Sequence, residues 1–137
     1  FILGAAAATL FPPMLSNAAN LNVTVEHVRN SKGKIRCAIF DIPSQFPQGR
    51  ELDSKDVSAQ LGSVSIQFQG LAPGAYAIAI HHDENSDRKM NTNFIGLPKE
   101  GYGFSNNAMV FFLPPVFEAA TFNVGLGDKA IRLRVVY

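Results

Sequence analysis

The chain has 137 residues, 12 of them Lys or Arg and 11 Asp or Glu, for a net charge of +1. Charges of both signs are spread along it, whereas a nucleic-acid-binding domain gathers its basic residues on one face, so nucleic acid is not an expected partner. Only 17% of the residues are charged and Cys37 is the single cysteine, which excludes an intrachain disulfide and leaves stability to a hydrophobic core.

Residues 1–15, FILGAAAATLFPPML, carry no charge. Phe1, Ile2, Leu3, Leu10 and Phe11 give this stretch its apolar bulk, and Pro12-Pro13 would end a helix near Leu10 or Phe11. The run is shorter than the ~20 residues that cross a bilayer. Ser16-Asn17-Ala18 then offers small residues of the kind a signal peptidase reads. We expect residues 1–20 to be a signal or anchor segment, retained in the lipid bilayer or packed against membrane protein subunits. A secretory signal cleaved after Ala18 is the alternative. Either places the domain of residues 21–137 outside the cytoplasm, in the periplasm.

From residue 21 onward, period-2 alternation dominates, the mark of half-buried strands. Leu21, Val23 and Val25 alternate with Asn22, Thr24 and Glu26. The turn 30–34, with Gly33, and the return strand 35–41 then read as a β-hairpin. Cys37 lies in this apolar strand and reads as a small buried hydrophobe rather than a reactive thiol. Residues 42–62, broken by Pro43, Pro47 and Gly49, read as a long connection with a helical turn over 54–61. Val64, Ile66 and Phe68 mark the next strand. After the turn 70–74 comes Tyr76 to His81, apolar on both faces and therefore central. Residues 83–109 read as a long loop, and 117–124 and 129–137 as two last strands. No long helical pattern occurs. The expected fold is all-β, an antiparallel sandwich of about seven strands.

Three stretches carry candidate sites. Asp83, Asn85, Asp87 and Asn91 place oxygens at alternating positions like a calcium loop, but such a loop has glycine at its sixth position and a bidentate Glu at its twelfth, where this chain has Arg88 and Phe94. Calcium is thus a weak expectation beside turn capping by the same side chains. The pair His81 and His82, with Asp83 and Glu84, is a second metal candidate, but adjacent strand residues point to opposite faces, so the two imidazoles cannot readily share one metal, although His27 could join either. His82 held by hydrogen bonds beneath the loop is the expected state. In the third stretch, Phe94, Tyr102, Phe104 and Asn106, with Phe111 and Phe112 of the following apolar run, could form a partner- or ligand-binding surface. Glu100 reads as a lone carboxylate, and no nucleophile elbow, zinc signature, phosphate loop or dinucleotide fingerprint occurs, so catalysis is not expected.

The runs His82-Asp83-Glu84-Asn85 through Asn93 and Asn93-Phe94-Ile95-Gly96 through Asn107-Ala108, with the opening Val-rich strands and the Gly70 to Tyr76 turn, resemble the bacterial family called domain of unknown function 2141. The resemblance covers about residues 21–137. It implies an exported, transthyretin-like or immunoglobulin-like sandwich with no assigned activity. It also implies a glycine and an aspartate where this chain has Arg88 and Asn91, which weakens the calcium expectation further. Taken together, we expect a non-catalytic accessory subunit of a membrane-bound assembly, anchored by its N-terminal segment. The alternative is a soluble periplasmic module that binds a small ligand or metal ion at the 81–107 loop.

Overall fold

The computed structural model describes residues 18–87, 100–109 and 113–137. Over these residues the chain is an all-β sandwich with eight strands, one more than the spacing suggests: β1 (Ala19–Val28), β2 (Lys34–Phe40), β3 (Asp53–Ser58), β4 (Gly62–Leu71), β5 (Gly74–Asp83), β6 (Gly101–Phe104), β7 (Phe122–Val124) and β8 (Lys129–Arg134). One sheet has the order β4-β1-β8. The other runs β3-β2-β5-β6, with β7 paired to the start of β5.

The alternating residues form the core. Leu21, Val23 and Val25 of β1, with Ile66 and Phe68 of its neighbour β4, pack with Ile35, Cys37 and Ile39 of β2 and Ile78 and Ile80 of β5 in one buried cluster. Full burial of each large apolar side chain contributes ~1.5–3 kcal/mol, so this cluster is the main stabilising term. Cys37 lies wholly inside it, and burial pushes its thiol pKa up, as expected of an inert packing residue.

The connectivity differs from the expected hairpin. β1 pairs antiparallel with β4 and parallel with β8, whereas β2 pairs with β3 and β5, so the two opening strands lie in different sheets. Gly33 lies in the crossing: its φ is +64°, and a Cβ there would collide with the backbone carbonyl of Asp83, so only glycine lets the chain pass this close to the end of β5. The chain passes between the layers at this point instead of folding back beside itself.

Three further elements depart from the sequence pattern. Residues 54–61 form no helical turn; β3 occupies 53–58 and pairs along β2 from Asp53↔Ile39 to Ser58↔Lys34. β3 is an edge strand whose sequence, DSKDVS, carries charge where a central strand would carry apolar groups. Residues 117–124 are a helical turn, α1 (Phe117–Ala120), followed by the short β7. The expected loop 83–109 contains β6, which extends the second sheet beyond β5.

β6 also closes one side of the sandwich. Val135 N–H still donates to Glu26 of the first sheet, but Val136 exchanges both backbone hydrogen bonds with Tyr102, at 2.8 and 2.9 Å. The chain end thus leaves one sheet and joins the other. Gly101 and Gly103 make this approach feasible, because a Cβ at either would clash with Val135 and Tyr137 or with the Arg134 carbonyl. On the outer face of the second sheet, Phe40, Phe46, Ala77, Phe117 and Ala120 form a second apolar cluster.

Candidate functional site

The end of β5 and the start of β6 determine the site. The register pairs Arg36 with His81, His81 with Tyr102, His82 with Gly101 and Lys34 with Asp83. His81 and Asp83 are two residues apart on one strand, so they share the outer face while His82 points inward. Continuing the β5–β6 register by one residue brings Glu100 opposite Asp83. The result is a cluster in which one donor atom each from His81, Asp83 and Glu100 lie within 4.8 Å of one another.

This cluster is shielded: Asp83 is 5% exposed and Glu100 4%. His81 Nε2–H donates to Glu100 Oε1 at 3.0 Å, so Glu100 is not the lone carboxylate that the sequence suggests. The other oxygen, Oε2, accepts the Glu84 N–H at 3.0 Å. Asp83 Oδ1 accepts the Asp87 N–H at 3.1 Å, and Asn85 Oδ1 accepts the same N–H at 3.2 Å. Two carboxylates this close and this buried repel each other, and positive charge beside them offsets that repulsion.

Behind the strand, His82 sits in a different network. Its Nε2 faces the Lys32 carbonyl at 2.7 Å, and a carbonyl can only accept, so Nε2 carries the proton. Nδ1 then accepts from the Tyr137 hydroxyl at 2.7 Å, whose oxygen in turn accepts the Arg29 N–H at 3.0 Å. The Arg29 guanidinium stacks 4.2 Å over the Tyr137 ring and grips both oxygens of Glu84, at 2.8 and 2.7 Å. Asn30 Nδ2 adds a third donor to Glu84 at 2.7 Å. The hydrogen bonds from Arg29 hold the Glu84 carboxyl at about 2, well below its usual range, and desolvation pushes the Tyr137 phenol up. His82 is therefore held by hydrogen bonds, as expected from sequence. His27 is exposed on β1 and is not part of the metal-competent cluster among the described residues.

The other sequence candidates divide by role. Asp83 ends β5, and Asn85 and Asp87 occupy the turn after it, where the first two side chains cap the N–H of the third. Tyr102 and Phe104 lie on β6 with ring centroids 6.1 Å apart, and Phe104 also meets Phe46 at 5.9 Å. Asn106, at φ 61°, donates to the carbonyls of Ala119 and Thr121 and ties β6 to the α1–β7 connection. Ser105 does the same from within: its hydroxyl accepts the Ile78 N–H at 2.9 Å and donates to the Ala120 carbonyl at 2.5 Å. Phe1, Ile2, Leu3, Leu10 and Phe11 of the leader, and Asn91, Phe94, Phe111 and Phe112, lie outside the described residues. Among the described residues no helix is long and apolar enough to cross a membrane. Beside the 110–112 run, Met109, Leu113 and Val116 are 45%, 67% and 63% exposed.

Sequence reasoning grouped His81 and His82 with Asp83 and Glu84 but read Glu100 as a lone carboxylate. The spacing of two puts His81 and Asp83 on one face of the strand. The place of Glu100 depends on β6, whose glycines conceal it.

Two sheets packed face to face, with a shielded imidazole–carboxylate cluster at one end, define a small all-β sandwich domain. Residues 23–132 match the family described as "Uncharacterized protein conserved in bacteria (DUF2141)", and the chain belongs to that family. No curated protein and no solved structure matches it.

Proposed function

We propose that this chain is an exported, non-catalytic binding module that takes a divalent cation at the β5–β6 end of its sandwich. The observation that carries this reading is the convergence of His81, Asp83 and Glu100, whose donor atoms lie within 4.8 Å of one another. Shielded carboxylates next to an imidazole make a cation-seeking group, and a bound cation offsets the repulsion between the two acids. Among the described residues the cluster consists of an imidazole and two carboxylates, a set suited to binding a cation. Export rests on the uncharged leader of residues 1–15. The test is thermal unfolding of the full, metal-depleted chain against a panel of divalent cations. A cation present at about 100 times its Kd should raise Tm by on the order of 10 °C, and a chelator should reverse the rise. No shift with any cation would remove this reading.

A second reading, an accessory subunit of a membrane-bound assembly, is favoured by the exposure of Met109, Leu113 and Val116 around the 110–112 run. Exposed apolar side chains clustered along one short stretch suit a subunit contact, and the leader would supply the anchor. Deleting residues 1–20 should move the protein from the membrane fraction to the soluble one. Continued association with membranes would count against the anchor.

A further inference from the structure

We infer that the outer edge of β4 pairs with the same edge of a second copy of this chain, antiparallel about a two-fold axis. The inference is independent of the cation cluster, which belongs to the other sheet. It starts from an asymmetry between the two sides of the sandwich. On one side β8 meets β6, and Val136 exchanges backbone hydrogen bonds with Tyr102, so the sheets are joined. On the other side β3 and β4 are the outer strands of their sheets, and among the described residues no strand pairs with the outer edge of either.

Such an edge is a row of backbone donors and acceptors ready to bind another strand, and charges or inward-pointing lysines on it oppose that pairing. β3 has both. Its sequence, DSKDVS, mixes acids with a lysine. Lys55 lies opposite Cys37, on the core side of the strand, with Nζ 5.8 Å from the centre of the Phe68 ring. β4 has neither defence. Its ten residues, GSVSIQFQGL, include no charge and no proline. Its ladder with β1 is regular from Ser63↔Glu26 to Phe68↔Leu21, and the register shifts only beyond the two ends of that stretch, at one end beside Gly70 with φ +71°. Residues 63–68 thus present an uninterrupted edge.

The same lack of charge selects the occupant. Across a two-fold axis a strand meets its own sequence, so a charged residue near the axis faces its own sign. Residues 63–68 avoid this cost, and their alternation matches itself. Directly opposed residues of an antiparallel pair share one face of the sheet. Exposed Ser63, Ser65 and Gln67 then meet serine and glutamine, while Val64, Ile66 and Phe68 meet their own apolar row and continue the core across the junction. Two three-stranded sheets become one of six strands. A foreign strand would find no charge in 63–68 by which to be selected, whereas a second copy brings the matching row with it.

Analytical ultracentrifugation of the full chain tests this. A two-copy species is expected whose share rises with protein concentration. The double variant Ser65→Lys with Gln67→Lys sets like charges on facing rows and should weaken the dimer at least ~10-fold. Both side chains are exposed, so the circular dichroism and Tm of the monomer should hold. Ser65→Glu with Gln67→Glu should weaken it likewise, and mixing the two double variants should restore a mixed dimer, counted by native mass spectrometry. In the parent chain, hydrogen exchange should slow with rising concentration at those amides of 63–68 that β1 does not bind, a reading that needs no variant to fold. A chain that stays monomeric, a dimer indifferent to the lysines, or slowing confined to residues 109–116 would overturn the inference. Equal protection of the 63–68 amides at every concentration would mean that another segment of this chain fills the edge, and would overturn it as well.

Discussion

His81 and His82 leave β5 on opposite faces, and the two sides of the sheet surround the same imidazole with different groups. Inward, His82 is fully buried, and both of its nitrogens are engaged by partners of fixed role, a carbonyl that only accepts and a phenol that donates. Such a ring is a structural node with no lone pair left for a ligand. Outward, His81 meets a carboxylate that would equally accept a metal ion in place of the proton. A histidine's capacity to bind is thus decided by what its nitrogens face more than by how deeply it is buried.

The sharpest way to break this comparison is the same substitution at both positions. His82→Gln should cost ~2–4 kcal/mol, because an amide cannot span both Lys32 and Tyr137 and leaves a buried polar group unsatisfied. His81→Gln keeps a donor for Glu100 and should cost no more than ~1 kcal/mol in the metal-free chain. Urea unfolding of the two variants checks this, and equal losses would mean that the outer histidine is as structural as the inner one. A smaller effect is expected at Gly101→Ala. The new Cβ meets Val135 and Tyr137, so the strand that closes the sandwich must shift, at ~1–3 kcal/mol. Because Tyr137 also supports His82, the loss should be largely non-additive with His82→Gln when the double variant is unfolded in urea.

Alternation exposed the strands but not their neighbours. The rows Leu21-Val23-Val25 and Ile35-Cys37-Ile39 read identically whether two strands lie side by side or face each other across a core, and only the pairing of β1 with β4 and of β2 with β5 distinguishes the cases. β3 was illegible because an edge strand exposes one ladder and tolerates the charges of DSKDVS. β6 was illegible because its inward row is Gly101 and Gly103, which carry no side chain to alternate. The same gap hid the site. Asp83 and His81 stood out as residues, but Glu100 joins them only through a register that the glycines of β6 establish.

The smallest effect sharpens the comparison at the rim of the inner network. Arg29 holds both oxygens of Glu84, whose carboxyl is thereby lowered to about 2. A carboxyl with a depressed folded-state pKa stabilises the fold above its unfolded value, near 4.5, and that contribution fades as pH falls towards 2. Glu84→Gln should therefore lower stability by ~1 kcal/mol at pH 6, where a partly exposed pair is screened by solvent. The two proteins should converge in urea unfolding between about pH 5 and pH 2. A Glu84→Gln penalty that stayed constant down to pH 2 would show that its contacts act as neutral hydrogen bonds, and the distinction between a charged rim and a neutral inner node would fall.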